Sequence, residues 1–221
     1  MKVIAVEQAK MLHLVPLEEI RPNFGIYIPG LIKSVAERYE FATVPKDLGE
    51  AITSGAKFEL GHLKVDGVDI VVRELGVYSD GFIVDTLHST MSERILDDLL
   101  GWTKEKYQTR EPTSVARRTC AGIVVFEFER EVESALGTIG KVAGMLSAAL
   151  KAAYGWDHSY NLQRIGFSVD PTTIPHLRNT AFFIERRVQM PFPRNRFYSG
   201  APLPTDQHIA LLEEIEREVL S

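Results

Sequence analysis

Glu59, Glu74 and Asp85 are the side chains whose types and spacing in this sequence come closest to a chemical device. They lie on an apolar run from Lys57 to His88 that two Asp-Gly dipeptides, Asp66-Gly67 and Asp80-Gly81, cut into three pieces. Asp-Gly accepts positive φ at both centres of a type I′ turn, so each pair is expected to close a two-residue β-hairpin. The first hairpin then sets Val65 against Val68, Lys64 against Asp69 and Glu59 against Glu74. The second sets Val77 against Val84, Gly76 against Asp85 and Arg73 against His88. Glu59, Glu74 and Asp85 thereby fall near one end of one face.

Opposed carboxylates destabilise a sheet unless water, an arginine or a cation lies between them. A hard divalent cation held by the three acids could activate a water for hydrolysis, with His62 or His88 moving the proton. The plainer reading puts the acids at the wet end of the sheet, or lets Gly61 or Gly76 form a bulge that shifts the register. His62 and His88, with Arg73 between them, are either an anion site or acid-base pair, or hydrogen-bonded structural histidines. Three carboxylates on strands match no metal motif, so no metal and no cofactor is assigned. A serine nucleophile elbow, a glycine-rich phosphate loop and a His-Glu-x-x-His helix are all missing from the sequence.

A second group is basic and aromatic. From Lys151 to Tyr198 there are seven Lys or Arg against three acids, interleaved with aromatic residues. The densest stretch, Pro191 to Gly200, reads as a rigid exposed loop. Arg186, Arg187, Arg194, Arg196 and Tyr198 form the binding surface expected there, for an anionic ligand or nucleic acid. The alternative is that five acids between Asp206 and Glu218 pair with these arginines within or between subunits.

The elements that position these groups follow from periodicity. Apolar spacing predicts a helix over 29–39, a short one over 48–52, and one from Thr90, where Thr90 and Glu93 form a capping-box signature. Residues 104–119 are polar and read as a connector. Beyond it a strand over 120–128, a helix over 132–153, strands over 162–169 and 180–188, and a C-terminal helix over 205–220 are expected. The fold class is therefore α+β: the meander at 57–88 plus a β-α-β-β segment at 120–188, forming antiparallel sheet backed by helices. The chain is expected to be one domain over 1–221, with 1–104 and 119–221 as the natural subdivision.

The helix over 132–153 is unusual. Gly137, Gly140, Gly144 and Ala148 make a stripe of very small residues beside the apolar Leu136, Ile139, Ala143, Leu146 and Leu150. Each interior glycine costs about 1 kcal/mol relative to alanine, so something must offset three of them. Close approach of a second backbone is the usual offset, from the sheet beneath or from a partner subunit.

With 221 residues, net charge −5 and 45% hydrophobic residues, the chain can bury a self-sufficient core and disfavours non-specific nucleic-acid binding. Cys120 is the only cysteine, which rules out an intramolecular disulfide and points to a reducing, cytoplasmic setting. The start of the sequence lacks a signal-like core, and no run is apolar enough to suggest a membrane. The functional expectation is a cytoplasmic binding or assembly protein that acts as a homo-oligomer with a basic-aromatic contact surface, its contacts made by the loop from Pro191 to Gly200 and by the glycine-lined helix. The rival is a divalent-cation-dependent hydrolase or nuclease using Glu59, Glu74, Asp85, His62 and His88.

Overall fold

A computed structural model describes residues 1–45, 55–65, 67–114, 116–132, 137–155, 157–170 and 181–220. The short helix expected over 48–52 and the turn at Asp170-Pro171 involve residues outside this set. The fold is α+β, with eight antiparallel strands and five helices among the described residues. The strands are β1 (Lys2–Leu14), β2 (Ala56–Val65), β3 (Val68–Tyr78), β4 (Gly81–Asp85), β5 (Arg117–Glu127), β6 (Arg164–Phe167), β7 (Phe182–Arg186) and β8 (Arg196–Ala201). Their order in the sheet is β2-β3-β4-β1-β5-β8-β7-β6. The helices are α1 (Leu17–Ile20), α2 (Ile28–Arg38), α3 (Ser89–Tyr107), α4 (Gly137–Tyr154) and α5 (Thr205–Glu218). No described helix is long and apolar enough to cross a membrane.

The chain divides into two compact units. One, the meander unit, comprises Val6–Gly122 and Leu203–Thr205; the other comprises Met1–Ala5, Ile123–Pro202 and Asp206–Ser221. The long strands β1 and β5 each contribute to both. β1 has no counterpart in the sequence reading, because its first half, Lys-Val-Ile-Ala-Val-Glu-Gln, shows no buried positions and alternation begins only at Ala9.

In the meander unit the first hairpin has the expected register, with Val65↔Val68, Lys64↔Asp69 and Glu59↔Glu74. The second is displaced by two residues: Tyr78 pairs with Gly81, Leu75 with Val84 and Glu74 with Asp85. The loop is therefore Ser79-Asp80 and not Asp80-Gly81. Pairing of β1 explains the difference. Leu14 pairs with Gly81, and a Cβ at Gly81 would overlap the His13 carbonyl, so the glycine is needed in the strand. Ser79 and Asp80 then accept hydrogen bonds from Leu17 N and Val15 N, each at 3.0 Å.

Strict alternation also fails along β2 and β3. Phe58 and Leu75 are buried at one end of the ladder, but Gly61, Ile70 and Val72, of opposite parity, are buried at the other. The change of phase falls at Leu60, whose φ of +57° turns the strand over. Gly61 follows because a Cβ there would meet Tyr39 O and the Phe41 ring. Residues 39–43 run along this edge, with Ala42 N bonded to Leu60 O at 3.1 Å and His62 N to Tyr39 O at 2.7 Å. They cover part of an edge strand that would otherwise invite pairing with another chain.

The core of this unit joins Met11, Val35, Phe58, Ile70, Leu75, Val84 and the Ile95, Leu96 and Leu99 stripe of α3. A polar clamp ties α2 to α3. Arg38 Nε and Nη2 donate to the two Asp98 oxygens at 2.9 and 2.6 Å, and Tyr39 Oη donates to Asp98 at 2.8 Å. Burial, then the Asp98 hydrogen bond, raises the Tyr39 hydroxyl pKa far above its ordinary value. The expected capping box at Thr90 is not the start of α3. The helix begins at Ser89, and the His88 side chain accepts from Thr90 N.

In the second unit an aromatic cluster of Phe126, Phe128 and Phe197, with centroids 4.8 to 6.0 Å apart, packs with Val124, Ile184 and Leu212. Pro191–Gly200 is not one exposed loop. Phe192–Arg194 forms a 3₁₀ turn, and from Arg196 the chain is strand β8, paired with β7. β-Branching is scarce here, but Phe197, Ser199 and Gly200 are buried on the sheet, which overrides weak strand propensity.

Candidate functional site

The carboxylates do converge, and they do so with cations between them. Register puts Glu59, Glu74, Asp85 and Lys10 in one row across β2, β3, β4 and β1. Lys57 Nζ lies 2.7 Å from Glu59 and 3.5 Å from Glu74, and Lys10 Nζ lies 3.8 Å from Glu74. Hydrogen bonding to Glu59 and the charge of Glu74 raise the Lys57 pKa. Asp85 accepts from Ala9 N at 3.0 Å and faces Arg73 Nη2 at 3.3 Å, while Arg73 also donates to Glu7 O and Thr86 O. Three acids thus meet three cations of the same unit. Among the described residues no group of three His, Cys, Asp or Glu side chains is placed to hold a metal ion.

The two histidines are separated. β4 ends at Asp85, so His88 leaves the sheet and caps α3, with its Nδ1 2.9 Å from the Thr90 hydroxyl. His62 stays on β2 and is half exposed between Glu40, 3.0 Å from Nε2, and Asp69, 3.6 Å from Nδ1. The expected opposition of Arg73 and His88 does not occur, because the two-residue displacement of the second hairpin ends the ladder before it.

The basic and aromatic residues divide into engaged and open groups. Arg186 is 3% exposed, with its guanidinium 4.6 Å from the Phe192 ring centre and 4.8 Å from that of Phe197. Its Nε donates to Leu162 O at 3.0 Å, so this arginine is part of the packing. Arg196 directs Nε and Nη2 to one oxygen of Glu127 at 2.8 and 2.6 Å. Arg187 lies over the Tyr198 ring at 5.9 Å, and burial followed by a hydrogen bond to Glu185 raises the Tyr198 pKa. Arg194 is exposed on the 3₁₀ turn. The five residues therefore do not form one open cationic face.

Helix α4 is the most unusual surface of this unit. Only Ala143, Ser147 and Leu150 are half-buried; every other α4 residue whose side chain is described is exposed. Val142 is 54%, Met145 72% and Tyr154 65% exposed, and the charged residues of the helix are Lys141 and Lys151. At 100° per residue Met145, Ala148, Ala149 and Ala152 form the outer face. Gly140, Ala143, Gly144 and Ser147 face a groove of about 760 Å³, whose far wall is Ser159 to Arg164. Ser147 Oγ donates to Ala143 O at 2.9 Å and accepts from Tyr160 N at 2.8 Å, tying the two walls together. A Cβ at Gly140 or Gly144 would meet nothing within 4 Å. Among the described residues no close backbone packing offsets these two glycines.

Sequence reasoning did not single out Ser199 and His208. Both are fully buried, with His208 Nε2 2.9 Å from Ser199 Oγ, which donates to Phe183 O at 2.7 Å. That hydroxyl proton is committed to the carbonyl, so His208 Nε2 is the donor and its buried Nδ1 has no hydrogen-bond partner among the described residues. Burial lowers the His208 pKa to about 4. The pair is enclosed and already spends the proton a nucleophile would give up. Compared with known proteins, the chain matches no protein-family model and no curated protein.

Proposed function

We propose that the protein acts by binding, as a homo-oligomer whose subunits meet through the outer face of α4, and that it does so in the cytoplasm. The observation that carries this reading is the exposure of an eighteen-residue helix that is apolar on nearly every side. A helix apolar all round belongs in an interior, and one left open on a folded chain marks a surface that another molecule covers. A second copy suits the outer face. Ala148, Ala149 and Ala152 let two helix backbones approach closely around Met145, and an isologous pair needs only one such surface. Burying a methionine contributes about 1.5–3 kcal/mol, and two-fold symmetry supplies it twice. The buried Cys120 and the lack of a second cysteine fit a reducing compartment.

The test is Met145→Asp. It places a charge on an exposed position, so the far-UV circular dichroism of the folded chain stays as it is, while the oligomer dissociates by at least tenfold in affinity and the melting midpoint loses its dependence on protein concentration. A variant that elutes as the unmodified protein does, at every concentration, removes α4 from the interface.

A further inference from the structure

We infer that the groove between α4 and residues 159–164 is a binding site for an amphipathic monoanion, a long apolar body ending in one carboxylate. This goes beyond self-association through the outer face of α4 and uses a different side of the helix. Its volume of about 760 Å³ lies within the range of small-molecule sites. The floor at Gly140 and Gly144 carries no side chain, and among the described residues nothing lies within 4 Å of a Cβ placed there, so a ligand can lie directly on the helix backbone. Leu146, Leu162 and Tyr160 supply apolar walls. The polar atom at the centre of the groove, Ser147 Oγ, already donates and accepts hydrogen bonds, and makes no demand on a ligand. A body lying against Leu146, Leu162 and the glycine floor therefore gains most by being apolar, while Ser159, Asn161 and Gln163 keep the remaining wall polar.

Charge selects the head group. Arg164 lines the groove, and among the described lining residues it is the only ionisable one apart from the tyrosine hydroxyl. Its guanidinium rests 4.6 Å from the centre of the Phe183 ring, and one nitrogen lies 3.5 Å from Glu185. The other donors of its fork have no partner among the described residues, and its side chain is 57% exposed. A planar fork held by an aromatic ring presents paired donors to a carboxylate.

Titration calorimetry with dodecanoate below its micellar concentration, against dodecanol as the uncharged control, tests the site. The expected result is one dodecanoate per chain, bound at least tenfold more tightly than dodecanol. Gly144→Leu fills the floor, replaces a poor helix former with a good one, and should weaken dodecanoate at least tenfold without lowering the melting midpoint. Arg164→Gln should bring acid and alcohol to the same affinity. Absence of saturable dodecanoate binding overturns the inference, and so does an undiminished affinity in Gly144→Leu. Dodecanoate binding by a monomeric Met145→Asp protein supports the groove independently of the oligomer. An oligomer that binds no dodecanoate overturns the groove alone.

Discussion

His208 shows what one buried residue contributes. Its imidazole is neutral in the fold, held down to about 4 by burial, whereas in the unfolded chain it titrates near 6.5. Between these values the unfolded state binds the extra proton, so stability falls as pH drops from about 6.5 to about 4. The loss should reach on the order of 3 kcal/mol, and His208→Gln should flatten that part of the denaturant-midpoint profile. A slope that His208→Gln leaves unchanged would assign the pH dependence elsewhere. The carboxylate row makes the opposite point about apparent function. Lys57, Lys10 and Arg73 already occupy the spaces between Glu59, Glu74 and Asp85. Millimolar Mg²⁺ or Mn²⁺ should therefore leave the melting midpoint where it is, and a rise of several degrees would revive a cation-dependent reading. The three acids were legible as a group in the sequence. Their cations were not, because Lys10 arrives on a strand that pairs from the far end of the unit.

At the scale of elements, local turn chemistry predicted the first hairpin and missed the second by two residues. Among the described residues nothing packs at Gly67, so its positive φ follows local dihedral preference. Gly81 touches the His13 backbone, and the neighbouring strand decides where the turn falls. An even displacement keeps every side chain on its face, which is why the acidic row survived the error. Leu60 works the other way: one left-handed residue exchanges the faces of β2, and no propensity of leucine announces it. The α2–α3 clamp is equally long-range. Asp98→Ala leaves Arg38 and Tyr39 without their acceptor and should cost about 2–3 kcal/mol in chemical denaturation. Asp98→Asn, which keeps the shape, should lose less. In α4 the open glycines make a simpler prediction. Gly140→Ala and Gly144→Ala should each raise stability by about 1 kcal/mol, since the new methyl meets nothing among the described residues. A loss of stability from either would mean that the backbone there is closely covered.

For the whole molecule, the α+β class and the antiparallel sheet followed from hydrophobic periodicity, as did most helix positions. The boundaries that moved are those where tertiary contact decides: β8 replaced an expected loop once Phe197 and Ser199 found buried places. The binding surface was less legible. A run of arginines suggests a cationic face, but Arg186 is sandwiched between phenylalanines and Arg196 is held by Glu127, so the run is spent on packing. The glycine-lined helix, by contrast, was recognisable as an anomaly from composition alone, and in the structure Val142, Met145, Leu146 and its glycines stand open. Self-association through α4 therefore shows first in stoichiometry. Multi-angle light scattering between about 1 and 100 µM should report a mass twice the 24.8 kDa of one chain, falling toward the single-chain mass in Met145→Asp. A single-chain mass across that whole range for the unmodified protein would contradict the account.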